Sequence, residues 1–327
     1  MSGRIAIVAG GGSSEHHISL RSAETVKNSL TQRYDVRIIV IDGGNWYWKS
    51  EKGRLFPIDK NDFSLIVDHE KIRFDAVFIA IHGNPGENGK LQGYFDMIEM
   101  PYTGSNLLAA ATTFSKQTCK DILSHHNIPM APSRLVKRDE VTDSSTMLRD
   151  IGLPCFVKPN ESGSSFGITR VTSEQQLQEA LTKAFSESPG VLIESEIRGT
   201  EVTCSVMKSS RRTILFPVTE IRSKNEFFDY EAKYDPVMCD EITPAEIPDS
   251  EADLVKRYSS EIYDHLNCSG LVRVDFIISD GIPFFLEVNI IPGMTPESLL
   301  PQQAEVMGIE PGEIYAELIE DLLRDLP

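Results

Sequence analysis

The chain is poor in cysteine. The five it has, Cys119, Cys155, Cys204, Cys239 and Cys268, are odd in number and never spaced C-x-x-C. That argues against a disulfide framework and against a CxxC-type zinc or redox centre. Free thiols in a reducing cytoplasm are the simplest account. Long apolar runs are missing too: no stretch reaches the roughly 18 consecutive apolar residues of a membrane span. The start, Met1-Ser2-Gly3-Arg4 and then Ile5-Ala6-Ile7-Val8-Ala9, is too short for a secretory signal and reads as a first strand. Basic residues are outnumbered, 32 Lys and Arg against 49 Asp and Glu, for a net charge of −17. Nonspecific nucleic-acid binding needs the opposite balance. Small anionic ligands stay open, because a local lysine cluster overrides the global sign. Internal repeats and low-complexity tracts are also lacking. What is left is an ordinary globular composition, 40% hydrophobic and 25% charged over 327 residues, enough for two or three domains and a substantial core.

The most informative stretch lies near the end. Arg273-Val274-Asp275 and Glu287-Val288-Asn289 flank two apolar segments joined by Asp280-Gly281, a strong hairpin signal. A turn centred on Gly281 sets Asp275 opposite Glu287 and Arg273 opposite Asn289. Residues two apart share a strand face, so all four project to one side. Two carboxylates and an amide oxygen on one face are hard oxygen ligands of the kind Mg²⁺ takes, and a one-residue slip would destroy the arrangement. Solvated charges on an open hairpin face are the bland alternative. The turn-forming Pro292-Gly293 and nearby Ser298 that follow directly weigh against it.

Upstream, strands at Ile5–Ala9, Val36–Ile41 and Ala76–Ile81, with a helix over Ser19–Leu30, form a βαβ pattern that predicts a parallel sheet. Its ligands belong at the carboxyl ends of the strands, where the loops Gly10–Ser14 and His82–Gly89 follow. A second region begins near Ser105, with a helix over Ser115–His126, a strand over Cys155–Lys158 and a Ser/Gly-rich loop Asn160–Gly167. A helix carrying Leu177, Leu181 and Phe185 and a strand over Val191–Glu194 complete it. Gly199 marks the passage to a third region, with strands near Glu201–Met207 and Thr213–Thr219, the hairpin, and a last helix over Pro311–Leu323 that closes the fold. Ser223–Pro244 reads as a long loop; four aromatic rings within eight residues, Phe227 to Tyr234, suit a lid better than a floppy connector.

Taken in order, these residues resemble the D-alanine–D-alanine ligases. The resemblance is carried by Gly10-Gly11-Gly12-Ser13-Ser14-Glu15, by His82-Gly83-Asn84-Pro85-Gly86-Glu87-Asn88-Gly89, and by Pro101-Tyr102-Thr103-Gly104-Ser105. It continues through Val157-Lys158-Pro159 with Gly163-Ser164-Ser165-Phe166-Gly167, through Asp229-Tyr230-Glu231-Ala232-Lys233-Tyr234, and through the terminal Arg273-x-Asp275 to Ser298 series. Each piece is weak alone; six in this order are highly specific and span about residues 5 to 308. The resemblance implies an α/β ATP-grasp fold with an N-terminal parallel-sheet domain. Residues 1–105 form that substrate-binding domain, 106–194 a central part with the phosphate loop, and 195–327 a C-terminal part with the metal site and lid. It implies a cytoplasmic enzyme, a homodimer that binds neither nucleic acid nor membrane, which takes D-alanine and ATP. ATP phosphorylates one D-alanine carboxylate, and the amine of a second attacks the acyl phosphate to give a peptidoglycan precursor.

The same resemblance implies residue roles. Asp275, Glu287 and Asn289 hold two Mg²⁺ ions (Mn²⁺ being the alternative), with Glu287 shared. Arg273 and the Gly293 N–H stabilise the tetrahedral intermediate; a salt bridge from Arg273 to Glu287 is the competing role. Lys116 and Lys158 contact ATP phosphates as compact point charges. Lys116 follows Ser115 where the family usually has Asp, and solvation on a helix surface is its alternative. Glu194 and Ile197 belong to the linker whose backbone meets adenine, and Glu201 accepts from ribose. Ser195 replaces a common lysine, which weakens any side-chain role there. Glu15 pairs with the first D-alanine ammonium and joins Ser164 and Tyr234 in a trio that tethers the lid. Lys233 contacts the transferring phosphoryl group and Ser298 the second D-alanine carboxylate. His82 lies by the same pocket, with a turn-capping histidine as its equal rival. Asn88 stands where the family has Asp, for which only a local hydrogen-bond change is expected. His16 and His17 are adjacent and diverge, so they read as helix entry and not as a metal pair. Tyr234 favours the dipeptide over a D-alanyl-D-lactate ester, which Phe or His there would favour. An ATP-grasp ligase of another substrate would not need Glu15 and the His82–Gly89 loop, and a binding module without chemistry would not keep Arg273, Asp275, Glu287 and Asn289.

Overall fold

The computed structural model describes residues 3–140, 143–163, 166–223 and 238–324, built around three sheets. The first holds β1 (Arg4–Gly10), β2 (Asp35–Asp42), β3 (Asn45–Lys49), β4 (Leu55–Asp59), β5 (Ser64–Val67), β6 (Glu70–Ile72) and β7 (Ala76–Ile79), in the order β6-β5-β4-β3-β2-β1-β7. The apolar run of β1 is buried along its length, as a central strand covered on both faces must be. Helix α1 (His16–Leu30) crosses from β1 to β2 and buries Ala23, Val26 and Leu30. The expected parallel sheet is only partly present. β1 is parallel to β2 and β7, but residues 45–72 add an antiparallel meander that the sequence reading missed. Its strands have three to five residues, too short for a clear alternation, and Gly43-Gly44 and Gly53 break the pattern between them.

Helices α2 (Lys90–Met97), α3 (Leu107–Phe114) and α4 (Lys116–Ser124) lead to a second, antiparallel sheet. It comprises β8 (Ser133–Lys137), β9 (Cys155–Pro159), β10 (Thr169–Val171) and β11 (Gly190–Ser195), in the order β10-β9-β11-β8. Helices α5 (Ser144–Leu148) and α6 (Leu177–Glu187) pack into its core through Met147, Leu148, Leu177, Leu181 and Phe185.

The third sheet contains β12 (Thr200–Lys208), β13 (Thr213–Leu215), β14 (Thr219–Ser223), β15 (Cys239–Ile242), β16 (Gly270–Ser279) and β17 (Ile282–Asn289), in the order β15-β14-β12-β16-β17 with β13 also on β12. Helix α7 (Asp249–His265) packs on β12, β16 and β17, and α8 (Leu299–Val306) and α9 (Pro311–Arg324) end the chain. Two expectations are corrected. The strand over Thr213–Thr219 is split in two around Pro217, which has no N–H for a ladder. Within the expected loop Ser223–Pro244, residues 239–242 form β15, paired with β14; the lid positions 224–237 lie outside the described residues.

The apolar core divides unequally. One continuous cluster joins the first and third sheets, whereas the second sheet has a separate cluster of its own. Helix α9 helps make the join: it packs on α1 and β7, with Tyr315 edge-on to Phe78 at 5.8 Å. The last helix therefore fastens the third sheet to the first. All five cysteines are buried free thiols, and burial pushes each thiol pKa up.

Candidate active site

The β16–β17 hairpin has the predicted register by an unpredicted route. Asp280 and Gly281, at φ 49° and 76°, make a two-residue turn, so Ser279 pairs with Ile282 and Phe276 with Phe285. That register alone would place Glu287 opposite Val274, facing the core. A bulge between Asp275 and Phe276 leaves Leu286 as the extra residue, and beyond it Asp275 pairs with Glu287 and Arg273 with Asn289. Burial follows the switch: Phe285 points inward before the bulge, and Val288 and Ile290 after it. Re-aiming side chains at a site is a common use of a bulge.

Asp275 is the hub of this wall. Its Oδ1 accepts from Thr203 Oγ1 at 2.6 Å and from Arg273 Nε at 2.9 Å, and its Oδ2 from a terminal nitrogen of Arg273 at 2.9 Å and Asn289 Nδ2 at 3.0 Å. Arg273 thus grips Asp275 bidentately, not Glu287 as the competing reading had it. Burial opposes the guanidinium charge, but Asp275, Glu287 and Glu87 outweigh it and hold the arginine pKa above its ordinary value. Because Asn289 donates its Nδ2 to Asp275, its amide oxygen is turned away and available as a ligand.

The facing wall is cationic. Lys116 begins α4, with Ser115 as N-cap accepting from Thr118 N–H, so the serine does a capping aspartate's work. Lys116 Nζ donates to Ser162 O at 2.9 Å and stands 3.6 Å from Glu287 Oε2. Its side chain is 12% exposed, which excludes the solvated-helix reading. Lys158, on β9, is buried and reaches Glu194 Oε1 at 2.5 Å, and Lys120 takes the other oxygen, Oε2. Burial alone would raise the Glu194 carboxyl, but the two ammoniums hold it below its usual range. Glu194 and Ile197 line the cleft, as do Glu201, Ile277 and Leu286. The Ser195 and Glu196 N–H groups are bonded to Pro132 and Pro154 carbonyls, and Ser195 Oγ turns to Ile151 O, in keeping with the absence of a side-chain role for Ser195.

After β1, Glu15 stands at the N-cap position of α1 without a side-chain capping bond, and a Cβ on Gly163 would lie 3.3 Å from its Oε2. The Gly/Ser loop and Glu15 therefore meet. Ser164, Lys233 and Tyr234 lie outside the described residues. His82 is buried, with Nδ1 3.0 Å from Ile291 O and Nε2 3.2 Å from Ser22 Oγ. A carbonyl only accepts, so Nδ1 carries the proton and Nε2 accepts from the serine; burial lowers the imidazole pKa. Both ring nitrogens are spent on the chain itself, which favours the structural reading over direct contact with substrate. Gly293 packs against Ser298: a Cβ there would sit 2.6 Å from Ser298 Oγ and would force that hydroxyl to turn away. Ser298 Oγ in turn bonds Thr295 Oγ1 at 2.9 Å. Asn88 bonds Asn84 Oδ1 at 2.8 Å, the local change expected, and His16 Nδ1 lies 2.9 Å from Gly11 O at the helix entry.

Three residues at the site escaped sequence reasoning. Glu87 was visible only as part of a motif; it is half-buried, accepts from Gly83 N–H at 2.9 Å, and is pushed up to about 8 by desolvation and then by Glu15. Thr203 and Lys120 carry no signal in sequence, because their partners are 72 and 74 residues away.

The donor chemistry fits a divalent cation held jointly with a ligand. No group of three or more His, Cys, Asp or Glu is gathered among the described residues. Glu287 and Asn289 offer hard oxygens of the kind Mg²⁺ takes when phosphates complete its shell, and Asp275 would join them by giving up one of the four hydrogen bonds it accepts from Thr203, Arg273 and Asn289. The carboxylates are balanced here by the chain's own cations, Arg273 and Lys116.

Three sheets in this order, with a cleft between the second and third walled by lysines and carboxylates, define a protein of the ATP-grasp class. Residues 4–105 match the family profile described as D-ala D-ala ligase N-terminus, and residues 122–323 the one described as D-ala D-ala ligase C-terminus. The chain is 46% identical to the D-alanine–D-alanine ligase of Phocaeicola vulgatus over 320 residues, 97% of this chain and 98% of that one. It superposes on D-alanyl-alanine synthetase A of Vibrio cholerae with a TM-score of 0.89 at 29% identity, covering 99% and 100% of the two chains. The D-alanine–D-alanine ligase of Bacillus anthracis complexed with ATP superposes with a TM-score of 0.79 at 31% identity, covering 99% and 98%. The chain belongs to the D-alanine–D-alanine ligase family.

Proposed function

We propose that this chain is an ATP-dependent ligase that joins two D-alanines into D-alanyl-D-alanine for peptidoglycan synthesis. A carboxylate oxygen of the first D-alanine attacks the γ-phosphorus of ATP and ADP leaves. The neutral amine of the second attacks the acyl carbon and gives up a proton, and the tetrahedral intermediate expels phosphate. Phosphoryl transfer of this kind asks for positioning and charge neutralisation, with little covalent help.

The observation that carries the reading is the pairing of walls: Lys116 and Lys158 face Asp275 and Glu287 across one cleft. The lysines take phosphate oxygens. The linker carbonyls and the Ile197 amide meet the purine edge, and Glu201 the ribose. Asp275, Glu287 and Asn289 would hold two Mg²⁺ ions, or Mn²⁺, with Glu287 shared. When bound, such ions neutralise charge on the transferred phosphoryl group. Arg273 and the Gly293 N–H face the oxyanion of the intermediate. Glu15 takes the first D-alanine ammonium, and Ser298 the second D-alanine carboxylate. Lys233, Ser164 and Tyr234 act in lid closure and phosphoryl contact on the strength of the resemblance alone. Residues 1–105, 106–194 and 195–327 serve as substrate, phosphate-loop and metal-site domains. The active species is a cytoplasmic homodimer. No helix among the described residues is long and apolar enough to cross a membrane.

Incubation with ATP and D-alanine, with D-lactate and L-alanine as parallel substrates, tests the reading. One ADP per D-alanyl-D-alanine is expected, and Glu287→Gln should lower turnover by about a hundredfold or more, as the loss of a charge-stabilising group does. Preferential ester formation, or an unimpaired Glu287→Gln enzyme, overturns it.

A further inference from the structure

Lys120 is a buried lysine that the cleft does not need for its lining. It lies one helical turn after Lys116 on α4, on the same helix face, yet its ammonium goes elsewhere. Its side chain is 6% exposed, and Nζ bonds Ala131 O at 2.9 Å and Glu194 Oε2. Glu194 and Lys158 line the cleft; Lys120 is not part of that lining. Glu194 is thus gripped on one oxygen by a lysine facing the ligand and on the other by a lysine behind it. Burying an ammonium is expensive, and here burial pulls the Lys120 pKa down despite its partner. Lys158 alone would already neutralise Glu194. A second ammonium has a consequence that the first lacks: it turns a neutral pair into a cluster of net charge +1.

We propose that Lys120 is a positioning residue for nucleotide binding: it occupies the rear oxygen of Glu194 and so leaves Lys158 with an uncompensated positive charge to present to the nucleotide phosphates. The proposal rests on the reading of Lys158 as a phosphate ligand. Lys120 touches no substrate; it acts through Glu194. Without it, Lys158 and Glu194 form a closed pair whose field at the phosphates is nearly that of a dipole.

A double-mutant cycle tests this on the full chain, with ATP affinity measured by titration and KM for ATP and for D-alanine measured beside kcat and the melting temperature. Lys120→Met should raise the ATP dissociation constant and KM about tenfold, the scale of one unit charge at this range in a partly screened site. KM for D-alanine and kcat should stay within about twofold, since the charge acts at the nucleotide. Adding Glu194→Gln should restore most of the affinity, because Lys158 is then unpaired again, and a packing role for Lys120 predicts no such rescue. Lys120→Gln keeps a hydrogen-bond donor and removes the charge; it carries the same comparison if the Met variant does not fold. Lys158→Met should weaken ATP binding with Glu194 either intact or replaced. A folded Lys120→Met or Lys120→Gln protein that binds ATP as well as the wild type, while Lys158→Met does not, overturns the proposal and leaves the Lys158 reading intact. Normal ATP binding by Lys158→Met overturns that reading itself.

Discussion

The two walls of the cleft carry opposite charge and are built in opposite ways. On the second sheet, one carboxylate, Glu194, lies between two ammoniums, leaving a net positive wall. On the third, one guanidinium, Arg273, serves Asp275 with Glu287 nearby, leaving a net negative one that Lys116 balances from the opposite side. The first can receive phosphates directly. The second repels them unless a cation lies between. The supporting cores differ only in part: Lys158 and Glu194 stand on the small apolar cluster of the second sheet, whereas α4, which carries Lys116 and Lys120, and the anionic wall both rest on the large cluster that joins the first and third sheets.

Asp275→Asn should break this opposition most strongly. With Mg²⁺ present, ATP affinity should fall about a hundredfold, within the range for a lost metal-site carboxylate and its supporting contacts. Without Mg²⁺ the sign reverses: free ATP should bind as tightly as to the wild type or more so, because a repelling charge has gone. Lys158→Met should weaken binding under both conditions. Asp275→Asn also leaves the largely covered Arg273 beside a neutral amide, so a stability loss of about 3 kcal/mol should accompany it in urea titrations. Equal Mg²⁺-dependence in Asp275→Asn and the wild type would mean that this wall does not serve a metal.

Thr203→Val probes the same wall more gently. Thr203 lies opposite Asp275 in the β12–β16 register and donates to its Oδ1, as outer-shell partners commonly do for ligating carboxylates. Valine keeps the shape and the strand preference. The Mg²⁺ concentration for half-maximal activity should rise about tenfold, with metal-free ATP affinity unchanged. A shift in metal-free affinity instead would assign Thr203 to general packing.

What could be read in the sequence divides along similar lines. The hairpin face was legible because a turn signal and a period of two fix which side chains share a face. Even so, the bulge at Leu286 was not foreseen. Centring the turn on Gly281 gave the right pairing because the true two-residue turn and the bulge offset one another by one residue each. The short meander over residues 45–72 was lost because its strands are too brief to show alternation. Lys120 looked like any helix lysine, since burial against Glu194 is a tertiary fact. His82 shows the reverse case: its motif left substrate contact and a structural role evenly matched, and the contacts with Ser22 and Ile291 show the ring spent on holding the β7 loop to the third sheet.

Glu87 offers the smallest effect and a clear sign. It lies near Glu15, Glu287 and Arg273, so it adds to the anionic wall a carboxyl that burial keeps protonated up to about pH 8, against an ordinary 4.5. Between those values the folded chain holds a proton that the unfolded chain has released. Stability must therefore fall as pH rises through that window and level off above it. Glu87→Gln keeps an acceptor for Gly83 N–H and removes the titration. The stability of the variant relative to the wild type should then increase by about 1 kcal/mol or more between pH 5 and pH 9, measured by urea unfolding at each pH. A relative stability that stays flat or declines over that range would mean that Glu87 ionises normally, and that the negative wall extends one residue further toward the first sheet than its burial implies.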